Sequence, residues 1–165
     1  MRYTPLMTLT LTSVAFSNGG KIPAKYTCDG DSKLSPPLSF SGVPEGAKSL
    51  VLIMDDPDVP EIRKKEFGIE AFDHWTLFNI PPETREISEG GTIGTPGATT
   101  RGELHYVGPC PPPQYEPREH RYIFKLYALS APLALSAGAT KREVIDALAP
   151  ILIAEAELIG RYARK

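Results

Sequence analysis

Three carboxylates fall in the run Asp55-Asp56-Pro57-Asp58-Val59-Pro60, and the chain has three histidines, His74, His105 and His120. A carboxylate beside an imidazole favours the imidazolium, the form that an anionic ligand wants. Asp56 and Asp58 lie two residues apart, so an extended turn puts them on one side. One can orient an imidazole while the other caps the turn, and Asp58 is the better candidate for the cap. Taken singly, each feature has a plainer reading. Asp next to Pro is common in Asx turns, and a histidine at a strand end is often a surface or capped residue. Together, the acids and two histidines at separate strand ends suggest a site where loops gather.

These residues need elements to carry them. Ser49-Leu50-Val51-Leu52-Ile53-Met54 is a continuous apolar run and reads as a buried strand. Pro57 and Pro60 cannot donate backbone hydrogen bonds, so the strand stops there and delivers its acids to the rim of a core. His74 opens a second strand, Trp75-Thr76-Leu77-Phe78-Asn79-Ile80, ended by Pro81-Pro82. His120 stands at the mouth of a third, Tyr122 to Leu129. Further strands are expected over 7–16, over a short piece at 21–27, and entering through Leu34-Ser35-Pro36-Pro37-Leu38-Ser39-Phe40. Residues 60–71 read as a charged, exposed excursion. Gly108-Pro109-Cys110-Pro111-Pro112-Pro113 is a stiff loop whose backbone can approach a ligand and which loses little entropy on binding.

The C-terminus changes period. Thr140-Lys141-Arg142-Glu143 has capping-box spacing. Val144, Ile145, Leu148, Ile151, Leu152, Leu158 and Ile159 then recur at helical intervals, with a break expected at Pro150 and an end at Gly160. Strands followed by one helical end point to a mainly β domain with attached helices, not an alternating βαβ fold.

Composition narrows the function. At 165 residues the chain fits one domain, 1–165, with a real core. A net charge of -2, without a Lys or Arg run, gives no case for nucleic acid. No apolar stretch reaches transmembrane length, and Met1 to Pro5 lacks the core of a signal peptide, so stable membrane insertion is not expected and a cytoplasmic location is. Seventeen prolines gather at turns, marking punctuation and not disorder. Cys28 and Cys110 form neither a disulfide framework nor a CxxC metal site, so free thiols are the simple reading. A single bridge is the other, as in a thermophile's protein, where intracellular disulfides persist. There is no GxSxG elbow, no HExxH and no glycine-rich loop before a helix. No catalytic residue, metal site or cofactor is assigned.

The ordered set of motifs resembles the phosphatidylethanolamine-binding protein family, also called Raf kinase inhibitor-like proteins, in its bacterial and archaeal branch. The matching pieces are Ser35-Pro36-Pro37-Leu38, Asp55 to Pro60, His74-Trp75 with Asn79-Ile80-Pro81, Gly108-Pro109-Cys110-Pro111-Pro112, His120-Arg121-Tyr122 and Tyr127-Ala128-Leu129. The tail Ala154 to Gly160 looks like the family's C-terminal helix. The resemblance implies a two-sheet β-sandwich with short C-terminal α-helices. It implies a small anion pocket lined by Asp56, His74, Pro111, Pro112 and His120, with Tyr122 as a wall. Phosphate, phosphoethanolamine and acetate-like anions are the ligands it implies. A kinase or serine protease is the partner it implies, and a homodimer follows by resemblance alone. The chain departs from the family at Pro113 to Glu119, which is longer, charged and without glycine. Glu119 is expected to add negative charge near the anion site. Gly91 to Gly97 also lacks the family's asparagine.

Three functions compete. The first is a non-enzymatic anion-binding module that modulates a partner protein. The second is a protease inhibitor that presents a surface loop independently of the pocket. The third is a hydrolase or lyase using His74 and Asp56, for which no nucleophile is evident.

Overall fold

A computed structural model describes residues 8–165. Its strands are β1 (Thr10–Thr12), β2 (Leu38–Ser41), β3 (Ser49–Asp56), β4 (Phe72–Ile80), β5 (Glu86–Ile87), β6 (Thr95–Pro96), β7 (His120–Leu129) and β8 (Leu152–Tyr162). Two helices join them, α1 (Glu61–Phe67) and α2 (Lys141–Leu148). One sheet runs β1-β2-β5 and the other β6-β4-β3-β7-β8, with antiparallel pairing between neighbouring strands in both. The fold is therefore mainly β and two-sheeted, as the motifs imply.

β3 is apolar throughout because both of its faces are covered. Leu50, Leu52 and Met54 point between the sheets, where they join Leu11, Phe40, Phe124 and Leu126. Val51 and Ile53 point the other way and pack with Phe78, Leu129, Val144 and Leu148. Val144 and Leu148 are the buried stripe of α2. A strand covered on both faces loses the alternation that a wet face would impose.

The capping box that starts α2 is present: Thr140 accepts from the Glu143 amide, and Glu143 reaches back to the Thr140 amide. The helix then stops far sooner than the sequence pattern suggests. A single 3₁₀ turn, Ala149–Ile151, holds Pro150, and the chain leaves it as β8. The expected helix over Ala154 to Gly160 is thus a strand. Ala and Glu are good helix formers, but ten residues of β8 find partners along β7, from His120↔Tyr162 to Leu129↔Leu152. Tertiary pairing of this extent overrides local propensity. Gly160 does not end a helix. It sits in β8, where an added Cβ would lie 2.5 Å from Ile22 Cγ1 and 2.9 Å from Phe16 Cε2.

Three other expectations change. The strand expected over 7–16 is only Thr10–Thr12, and Met7 lies outside the described residues, as do the readings made on Met1 to Pro5. The piece at 21–27 is a 3₁₀ turn, Ala24–Tyr26. The charged excursion at 60–71 contains α1, begun at Pro60 and closed by Gly68 in the left-handed conformation at φ 65°. Among the described residues no helix is long and apolar enough to cross a membrane.

Candidate functional site

Antiparallel pairing decides where the chemistry collects. The C-terminal end of β3 must lie beside the N-terminal ends of β4 and β7. Asp56 pairs with Phe72 in β4, and Asp55 pairs with Asp73 in β4 and Ile123 in β7. Asp56, His74 and His120 therefore meet at one end of the large sheet although they are far apart in sequence. A register irregularity falls between Met54 and Asp55. It marks a change of face along β4: Trp75 and Leu77 pack between the sheets, whereas Asp73, of the same parity, turns to Thr76 on the other face and leaves Phe72 and His74 to line a cavity. Re-aiming a side chain is what such irregularities commonly do.

The cavity has a volume of about 250 Å³. Asp56, His74, Pro111, Pro112, His120 and Tyr122, the six residues picked out from the sequence, all line it. His120 Nδ1 lies 2.6 Å from Asp56 Oδ2. The other carboxylate oxygen, Oδ1, accepts from the Asp58 amide at 2.8 Å. Both Asp56 and His120 are buried. A carboxylate can only accept, so it fixes the ring with its proton on Nδ1. His74 is fixed in the same sense, because its Nδ1 donates to the Val107 carbonyl at 2.7 Å. Burial pulls the His74 pKa below the ordinary imidazole value, and the Asp56 charge opposes that pull.

In their neutral forms both rings turn an Nε2 lone pair away from these anchors. His120 Nε2 is the one buried side-chain polar atom without a hydrogen-bond partner among the described residues. Leaving such an atom unmet costs about 1–3 kcal/mol. Tyr122 packs edge-on to His74, with ring centres 5.3 Å apart, and stacks on His120 at 6.2 Å. Burial raises its phenol far above the usual value, so at neutral pH it is a wall and a neutral donor.

Asp58 has the structural role. It takes the Arg121 guanidinium on both oxygens, at 2.8 and 2.9 Å, and the Arg121 amide at 2.8 Å. Those bonds hold its carboxyl below the usual range. Asp55 pairs with Lys141 at 2.6 Å on α2, away from the cavity. His105 is exposed and bonds the Tyr106 carbonyl, outside the lining. Glu119 does not burden the pocket with its charge, because it pairs with Arg161 of β8 at 2.8 Å.

Several lining residues had no sequence signal. α1 supplies Arg63 and Phe67, β4 supplies Phe72, and the loop after β6 supplies Arg101. The i, i+4 spacing of Arg63 and Phe67 was the only available hint that one face of a short helix was shared. Cys110 also lines the cavity, and it is disulfide-bonded to Cys28. The two cysteines meet at the pocket edge, and the free-thiol reading gives way. Among the described residues no group of three or more His, Cys, Asp and Glu could hold a metal. Asp56, the carboxylate nearest the two histidines, is already committed to His120 and to the Asp58 amide.

The family model described as phosphatidylethanolamine-binding protein matches residues 12–163. The chain belongs to the phosphatidylethanolamine-binding protein family. A relative from Methanothermobacter thermautotrophicus, named UPF0098 protein, is 43% identical over 163 residues, covering 94% of this chain and 99% of its own. Among solved structures, a phosphatidylethanolamine-binding protein homologue from Chlamydia trachomatis, CT736, superposes with a TM-score of 0.88 at 43% identity, covering 96% of this chain and 99% of its own. YbcL of E. coli, described as a member of the mammalian family, gives 0.81 at 27% identity and covers 95% of this chain and 99% of its own. In this chain Asp56, His74, His120 and the proline loop line one cavity.

Proposed function

We propose that this chain is a non-catalytic binding protein whose cavity takes a small phosphate-type anion, and that the occupied protein modulates a partner such as a kinase or serine protease. The observation that carries the reading is the unmet, buried Nε2 of His120, on a ring that lines a cavity beside the similarly fixed ring of His74. A ligand oxygen meets such an atom in one of two ways. Either the oxygen brings a proton, as a monohydrogen phosphate does, or the imidazole takes up a proton and donates. Both routes bring a proton into the site with the anion. Pro111 and Pro112 form a stiff wall that excludes water at small entropic cost. Among the described residues no serine, threonine or free cysteine lines the cavity to act as a nucleophile beside His74. A headgroup of so few atoms binds weakly, so regulation of a partner must draw on surface beyond the cavity.

The test is an NMR titration of the three imidazoles against pH, with and without phosphoethanolamine. The expected result is a joint shift of His74 and His120 on adding ligand, with His105 unmoved. Three unmoved imidazoles would overturn the anion reading.

A further inference from the structure

Arg101 has no part in that reading, yet the fold fixes it at the cavity. It is the third residue of a tight turn, in which the Gly102 amide donates to the Thr99 carbonyl at 2.9 Å and Gly102 takes φ 91°. The turn is fastened to β4 beside His74. The Thr100 hydroxyl accepts from the Asp73 amide at 2.8 Å, and the Thr100 amide donates to the Asp73 carbonyl at 3.2 Å. The guanidinium carbon rests 5.8 Å from the ring centres of both Phe67 and Phe72. The Phe72 ring in turn lies 4.9 Å from the His74 ring. One phenyl ring therefore separates the imidazole from the guanidinium along the cavity wall.

The other lining arginine, Arg63, is paired with Glu66 at 2.7 Å. Arg101 is exposed and has no carboxylate within ion-pair distance among the described residues. A guanidinium presents a planar fork of donors that matches a carboxylate. Cation–π contact with two phenyl rings restrains that fork, so less freedom is lost when an anion arrives.

We propose that Arg101 is a specificity-determining residue of this cavity, and that the ligand class is a small phosphomonoester bearing a second acidic group. The phosphate faces His74 and His120, the carbon spacer lies on Phe72, and the carboxylate meets Arg101. The proposal rests on the anion-pocket reading and adds the second acid to it. A cavity of about 250 Å³ gives room for more than a bare phosphate.

The test uses the full chain and two ligand series: ω-carboxyalkyl phosphates with one to four methylenes, and n-alkyl phosphates of the same lengths. Affinities come from calorimetry, with the His74 and His120 resonances confirming the site. The expected result is one spacer length at which the carboxylate improves affinity about tenfold, the usual scale of a charge-assisted pair. Arg101→Gln then cuts that gain below about threefold, and Arg101→Lys keeps part of it, as a charge effect requires. A carboxylate that adds nothing at any length, or a gain that survives Arg101→Gln, overturns the proposal while alkyl phosphate binding leaves the anion pocket standing. If neither series binds, the anion pocket itself falls and the proposal with it. Should Arg101→Gln fold poorly, Arg101→Lys is read in its place, and a carboxylate gain that it leaves whole overturns the proposal.

Discussion

His74 and His120 are held by acceptors on Nδ1, so Nε2 is the nitrogen that each ring has left for a ligand. Sulfate has no proton to bring at ordinary pH, so it must find an imidazolium. Burial keeps the His74 pKa below the usual value. Sulfate affinity should therefore weaken as pH rises from about 5 to about 8, by up to about tenfold per unit for each proton taken up. Calorimetry in buffers of different ionisation enthalpy reads that uptake, and a flat profile without proton uptake would contradict the arrangement described. Asp73 makes a second case at this scale. It is buried, accepts from the Thr76 hydroxyl at 2.8 Å, and burial pushes its pKa up to about 6. Its folded pKa lies above the unfolded one, so the native state holds the proton more tightly. The stability this group contributes is present at low pH and is lost as pH rises from about 4 through about 6, on the order of 3 kcal/mol in all. Asp73→Asn should be close to neutral for stability near pH 4 and stabilising near pH 7, because an amide can still bond Thr76 without burying a charge. Urea unfolding at both values checks this, and an equal effect at the two would mean that Asp73 titrates normally.

Gly160 shows how an element can be misread and what the misreading costs. In a helix, alanine at that position would be harmless. In β8 its Cβ would collide with Ile22 and Phe16, which cross over the strand. The segment is tied there by Ile22 N to Arg161 O at 2.8 Å and Arg161 N to Gly20 O at 2.9 Å. Gly160→Ala should therefore destabilise the protein by about 1–3 kcal/mol, the usual cost of overpacking, and chemical denaturation would measure it. The sequence Ala154-Glu155-Ala156-Glu157-Leu158 satisfies two patterns at once. Its residues favour helix, while its strict alternation suits a strand with Glu155 and Glu157 outward. Only the unpaired edge of β7 decides between them, and no local signal reports that edge. By contrast, β3, β4 and β7 were legible because prolines and turn residues punctuate long apolar runs. Asp56, His74 and His120 were legible with them, as residues at the ends of those runs. Arg63 and Arg101 were not. One comes from a short helix and the other from an irregular turn, and a surface arginine beside a cavity has the same sequence context as one facing water. The glutamates of β8 have a further consequence. Among the described residues its first half is an open sheet edge, and charge on such an edge discourages pairing with another chain.

At the scale of the whole molecule, the sheet ends supply one part of the cavity wall, and the proline loop that supplies another is held by segments that the sheets do not pair. The Cys28–Cys110 disulfide joins residues 82 apart and ties the loop after the Ala24–Tyr26 turn to the proline loop. It does not act alone. The Cys28 amide donates to the Pro109 carbonyl at 3.1 Å, the Gly108 amide to the Ser32 carbonyl at 2.7 Å, and the Tyr106 hydroxyl to the Tyr26 carbonyl at 2.9 Å. Gly108 permits this contact, since a Cβ there would stand 2.5 Å from the Tyr26 carbonyl oxygen. Two kinds of constraint are thus superposed. The bridge restricts the unfolded chain, and the backbone bonds shape the folded wall. Replacing both cysteines by serine should separate them. Loop entropy for a closure of this length sets the expected loss at about 4 kcal/mol of unfolding free energy. The wall keeps its backbone bonds, so His74 and His120 should still shift on adding phosphoethanolamine, with affinity unchanged. Urea unfolding and the same histidine titration, run on the double variant and on the parent chain, read the two effects independently. A full loss of stability with unchanged affinity fits a bridge that acts on the unfolded state. Lost histidine shifts at retained stability would instead make the bridge the element that shapes the pocket.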